Sequence, residues 1–84
     1  RTLHTPERLL MNQEIVAAVS ETIDTLPEEL KEAISLREMD GLSYEEIAEI
    51  MQCPIGTVRS RIFRAREAIA EKLKPLIEVS NKRW

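Results

Sequence analysis

Residues 43–66 read SYEEIAEIMQCPIGTVRSRIFRAR, and they decide the fold. Ser43 and Glu46 stand at the two positions of a reciprocal cap, S-x-x-E, which satisfies two amide groups at a helix start. Leu42 and Ile47 flank that start as a hydrophobic staple. Ile47, Ala48 and Met51 then form the inner stripe of a short helix, and Ala48 is small enough to let a neighbour come close. Pro54 opens a second helix that carries Arg59, Arg61, Arg64 and Arg66 within eight residues. A capped short helix, a tight turn and a basic helix form the layout that places one helix in the major groove of DNA.

The rest of the chain fits a small frame for this motif. Eighty-four residues make one domain near the lower limit of independent folding. Only Tyr44, Phe63 and Trp84 are aromatic, so Leu, Ile, Val and Ala must supply the core. No apolar run approaches a membrane-spanning length, and the N-terminus lacks the apolar segment of a signal peptide. The chain begins with Arg1 rather than Met, as a piece of a longer protein would. Cys53 is alone, which rules out an internal disulfide and suits a reducing compartment.

The net charge of −3 argues against a nucleic-acid partner, but its distribution reverses that reading. Residues 13–53 carry a local charge of −9, with eleven acids against Lys31 and Arg37. Residues 54–75 carry +4, with six bases against Glu67 and Glu71. A basic last helix can meet phosphates while the acidic body faces away.

Two further helices precede the motif. Thr5 is a suitable cap, Pro6 suits the first helical position, and Leu9, Val16, Val19, Ile23 and Leu26 recur at helical spacing beside Ile15 as far as about Thr25. A second helix begins around Pro27 with Glu28 and Glu29 in its first turn. It groups Leu30, Ala33, Ile34 and Arg37 on one face, and Asp40-Gly41 ends it, with Gly41 left-handed. The fourth helix carries the seam Ile55, Val58, Ile62, Ala65, Ile69, Leu73 and Leu76, and is expected to stop near Lys74 because Pro75 follows. The fold class is therefore all-α. It is a compact four-helix domain over residues 1–77 containing a helix-turn-helix, of the winged-helix-like DNA-binding class without a wing. Residues 78–84 are expected to be a mobile tail.

Helical geometry divides the last helix into roles. With Val58 at zero and about 100° per residue, Ile62, Ala65 and Ile69 fall within roughly 40° of it. On the same scale Phe63 lies at about 140°, Ser60 at about 200°, Arg64 at about 240° and Thr57 at about 260°. Thr57, Ser60, Phe63 and Arg64 are thus the candidate base readers, Arg64 having the planar fork that matches guanine O6 and N7. Arg59, Arg61, Arg66, Lys72 and Lys74 are the candidate phosphate contacts. Glu67 shares the outer face, where it can accept from cytosine or limit nonspecific binding.

Catalysis and metal binding find no support. His4 is the only histidine and has no ligand partner at metal spacing, and Ser60 has no base. Glu45, Glu46 and Glu49 share a short helix with no nucleophile beside them. Cys53 reads as a partly buried turn residue. No cofactor is expected. Leu9, Leu10, Met11, Leu36 and Met39 are candidates for an apolar partner-binding face.

Taken together, residues 26–69, LPEELKEAISLREMDGLSYEEIAEIMQCPIGTVRSRIFRAREAI, resemble the C-terminal promoter-binding domain of bacterial sigma factors, region 4. The likeness is strongest to the extracytoplasmic-function group of the sigma-E type. It is carried by Leu26-Pro27, Leu36-Arg37, Gly41-Leu42-Ser43-Tyr44, Glu46-Ile47-Ala48 and Gly56-Thr57-Val58-Arg59-Ser60-Arg61 running into Arg64-Ala65-Arg66. The resemblance implies binding to the minus-35 promoter element, contact with the beta flap of RNA polymerase core, sequestration by an anti-sigma factor, and a bacterial cytoplasmic stress response. It also implies that the domain recognising the minus-10 element lies outside these residues, so that this chain alone cannot initiate transcription. One position departs from the usual helix-turn-helix pattern. Gln52 stands where a turn glycine is common, and a left-handed backbone there costs a non-glycine residue about 1 kcal/mol. Two other readings share part of the pattern: a LuxR-type response-regulator output domain, and a protein-interaction module that binds polymerase or an anti-sigma factor without DNA.

Overall fold

A computed structural model describes the backbone of residues 6–82 and the side chains of residues 12–78. Four helices follow one another: α1 (Pro6–Thr25), α2 (Glu28–Glu38), α3 (Tyr44–Met51) and α4 (Ile55–Lys82). The described residues contain no strand. α4 runs 28 residues, which at 1.5 Å per residue is about 42 Å, and it accounts for the 45 Å long axis of the molecule. α1 and α2 both pack on α4, and α3 packs on α2 and α4.

The core lies where α2, α3 and α4 meet. Ala33 and Ile34 of α2, Ile47 of α3, and Val58, Ile62 and Ala65 of α4 are all at most 1% exposed. Leu30, Leu36, Leu42, Ala48, Met51 and Ile69 close over them. Ala33 and Ala65 present only a methyl group each, which lets α2 and α4 approach closely. Each buried isoleucine contributes about 1.5–3 kcal/mol by leaving water.

The ends of the short helices follow their sequence signals. Ser43 accepts from the Glu46 amide at 3.1 Å, and the Glu46 carboxylate accepts from the Ser43 amide at 2.8 Å, closing the capping box. Pro27 precedes α2 without any side-chain cap. Beyond Glu38 the chain loops back through Met39 and Asp40 amides bonded to the Ser35 carbonyl, and a Leu42 amide bonded to Leu36. Gly41 makes that reversal at φ +69°. Gln52 is left-handed at φ 54° and ψ 53°. The turn thus has the conformation usual for a glycine there, at the cost of backbone strain.

Three expectations fail. α4 does not stop near Lys74: it passes through Pro75 and reaches Lys82. Pro75 removes one amide donor, but its ring is on the exposed side, while Leu73 and Leu76 on either side stay half-buried and carry the seam onward. The helix thus takes in residues 78–82 beyond its expected end, and Arg83 and Trp84 lie outside the described residues. Val16 is not on the inner face of α1 but 66% exposed. The buried arc of α1 instead passes through Thr22, 5% exposed, whose hydroxyl is satisfied by donating to the Ala18 carbonyl at 2.7 Å. Leu36 is not an open partner-binding residue but packs against the core, whereas Met39 is 72% exposed. The Thr5 cap and the side chains of Leu9, Leu10 and Met11 lie outside the described residues. No helix among the described residues is long and apolar enough to cross a membrane.

Candidate nucleic-acid interface

α3, the Gln52 turn and α4 form the helix-turn-helix, and burial fixes the rotation of its second helix. Val58, Ile62 and Ala65 face inward without exposure, so the opposite face of α4 must be open. Ser60 and Arg64 are exposed there, Phe63 is 63% exposed, and Thr57 is half-buried at the helix start. The rotation is the one that the spacing of apolar residues requires.

Thr57, Ser60, Arg61 and Arg64 line one open cleft of about 450 Å³, whose other wall is Pro27, Glu29 and Leu30 at the start of α2. The starts of two helices therefore converge there, and each presents amide donors and a partial positive charge. Arg61 is half-buried and donates to the Cys53 sulfur at 3.8 Å, which ties the turn to α4. Gly56 has open space around it, so the helix start is accessible to a bulky surface. Phe63 does not line this cleft.

The opposite flank of α4 gathers around Tyr44, the first residue of α3. The Arg37 guanidinium stacks over the Tyr44 ring at 4.8 Å from its centre, and that of Arg59 lies 6.0 Å away. Such contacts hold a guanidinium in place without neutralising it. Arg37 also donates to the Leu42 carbonyl at 2.8 Å. Arg66 shares this flank, where its Nη2 donates to Glu38 Oε2 at 2.5 Å. The hydrogen bond to Glu38 raises the Arg66 pKa above its ordinary value.

The phosphate candidates thus fall into three places: Arg61 in the cleft, Arg59 and Arg66 on the tyrosine flank, and Lys72 and Lys74 further along α4. The two lysines are exposed. Lys74 stands 17 residues beyond Thr57, about 25 Å along the axis at 1.5 Å per residue. A major groove is only about 12 Å wide. Arg37 and Tyr44 stand beside Arg59 but are not among the candidates drawn from the sequence. Arg37 shares a face with Leu30, Ala33 and Ile34, which disguised it as a core-flanking residue.

Comparison with known proteins adds an independent line. The family model for sigma-70, region 4 matches residues 17–69, more than half of the chain. The sigma-E factors of Escherichia coli (strain K12) and Salmonella typhimurium, described as ECF RNA polymerase sigma-E factors, are 61% identical over 77 residues. An RNA polymerase sigma-H factor of Pseudomonas aeruginosa is 58% identical over 77 residues. In each case the match takes in 92% of this chain and 40% of the relative, so the chain spans about two fifths of the length of these proteins.

Proposed function

The chain belongs to the sigma-70 region 4 family, and from that premise we propose that it binds the minus-35 element of bacterial promoters as part of an RNA polymerase sigma factor. One observation carries the proposal. The second helix of the helix-turn-helix buries Val58, Ile62 and Ala65 and turns Ser60, Phe63 and Arg64 to solvent, between basic flanks.

In this scheme Thr57, Ser60, Phe63 and Arg64 meet base edges. Arg64 takes guanine through its fork, and Phe63 lies against a thymine methyl. Arg61 on one side, and Arg37, Tyr44, Arg59 and Arg66 on the other, hold the two phosphate walls of the groove. The acidic exposed surface of α1 to α3 keeps the molecule from lying on DNA the wrong way. No step of this activity requires a reacting group, so the domain acts as a binding module rather than an enzyme. Contact with the beta flap of polymerase core and capture by an anti-sigma factor, in a bacterial cytoplasm, complete the proposal. Among the described residues, Val16, Met39, Ile50 and Ile77 are exposed apolar side chains available to such proteins.

The direct test is the salt dependence of binding to duplex DNA, followed by fluorescence anisotropy. Four phosphate contacts imply a log–log slope of about −3 to −4. A slope near zero would refute the DNA-facing assignment of α4.

A further inference from the structure

Glu38 is an acid at an unfavourable place. It is the last residue of α2, where the carbonyl ends of the helix already carry partial negative charge. Met39, which follows it, has no charge to offset it, and Arg37 beside it is turned onto the Tyr44 ring. The partner of Glu38 comes from 28 residues away: Arg66 of α4. Both side chains are about half exposed, 51% and 53%, so the pair is open to competition from solvent anions. Among the described residues Arg59, Arg61 and Arg64 have no carboxylate within 4.0 Å, whereas Arg66 is bound by one. A charge that breaks a local rule and is neutralised only by a residue of the binding surface is where a functional reason is expected.

We infer that Glu38 is an internal anion that occupies Arg66 in the place of a DNA phosphate, and so sets how tightly and how salt-dependently α4 binds. The inference rests on the DNA-binding reading and deepens it. In the free protein the Glu38 carboxylate holds the guanidinium; on DNA a phosphate oxygen displaces it. Affinity is thereby held below what the arginines alone can give, and the exchange of one anion for another blunts the response to salt.

A double-mutant cycle tests this on the 84-residue chain. Wild type, Glu38→Gln, Arg66→Ala and the double variant are titrated against a short duplex selected from a random pool by the wild-type protein, and against a scrambled duplex. Thermal unfolding of all four checks that each is folded. Glu38→Gln is expected to tighten binding to both duplexes about threefold, the scale of an exposed ion pair, and to steepen the salt dependence. In the Arg66→Ala background most of that gain should vanish. An equal gain in both backgrounds overturns the inference, because it would be a general charge effect. Weaker binding by Glu38→Gln also overturns it, because Glu38 would then position Arg66 rather than compete for it. Absence of salt-dependent binding in every variant overturns the DNA-binding reading, and the inference with it.

Discussion

Replacing Gln52 by glycine isolates the strain in the turn between α3 and α4. Gln52 sits at φ 54° and ψ 53° with its side chain exposed. Its backbone contacts, an amide bonded to Glu49 at 3.3 Å and the following Cys53 amide bonded to Ala48 at 3.1 Å, do not depend on the side chain. The left-handed conformation costs a non-glycine residue about 1–2 kcal/mol. Glycine removes that cost but enlarges the conformational freedom of the unfolded chain, which returns about 0.4–1 kcal/mol. The balance is a gain of about 0.5–1 kcal/mol, or roughly 2–8 °C in Tm for a domain of this size. Urea and thermal unfolding of both proteins would measure it, with Gln52→Ala as a control that keeps the strain and should change little. A loss of more than about 0.5 kcal/mol on Gln52→Gly would refute the reasoning, since it would mean that Gln52 is not left-handed in solution.

Arg64→Ala is expected to cost about 1–3 kcal/mol on the best duplex and to relax preference at one base pair, whereas Arg66→Ala weakens all sequences alike; titration of single-base variants separates the two. Tyr44→Leu should keep the half-buried contact with the core but release Arg37 and Arg59, lowering affinity for every duplex by about threefold without altering base preference. Lys74→Ala should leave both affinity and salt slope nearly unchanged, because its position lies roughly 25 Å along α4 from Thr57; a slope change of about one unit would place it on a phosphate.

Much of this was legible in local chemistry. The capping box at Ser43 and Glu46 and the seam from Ile55 to Ile69 depend on near neighbours, so the sequence displays them directly. The seam fixed the rotation of α4, and with it the outward face of Ser60, Phe63 and Arg64. Pro75 misled because the rule that proline ends a helix is local, while the half-buried Leu73 and Leu76 that carry α4 past it act at a distance. Val16 misled because the arc α1 buries depends on where α4 lies. The Glu38–Arg66 pair and the three-way grouping of Arg37, Tyr44 and Arg59 join residues from different helices, and no spacing within one helix announces them.

The capping box has a consequence for how genetic data on such a domain are interpreted. Tyr44 follows Ser43 directly, so the hydrogen bonds that start α3 also aim the ring on which Arg37 and Arg59 rest. A screen for lost promoter recognition would therefore recover Ser43→Ala as though it had struck a DNA contact. The same allele would pass as a mild folding defect of about 1 kcal/mol in a stability assay. Suppressors that restore the helix start, rather than any that touch the nucleic acid, would reveal which of the two phenotypes is primary.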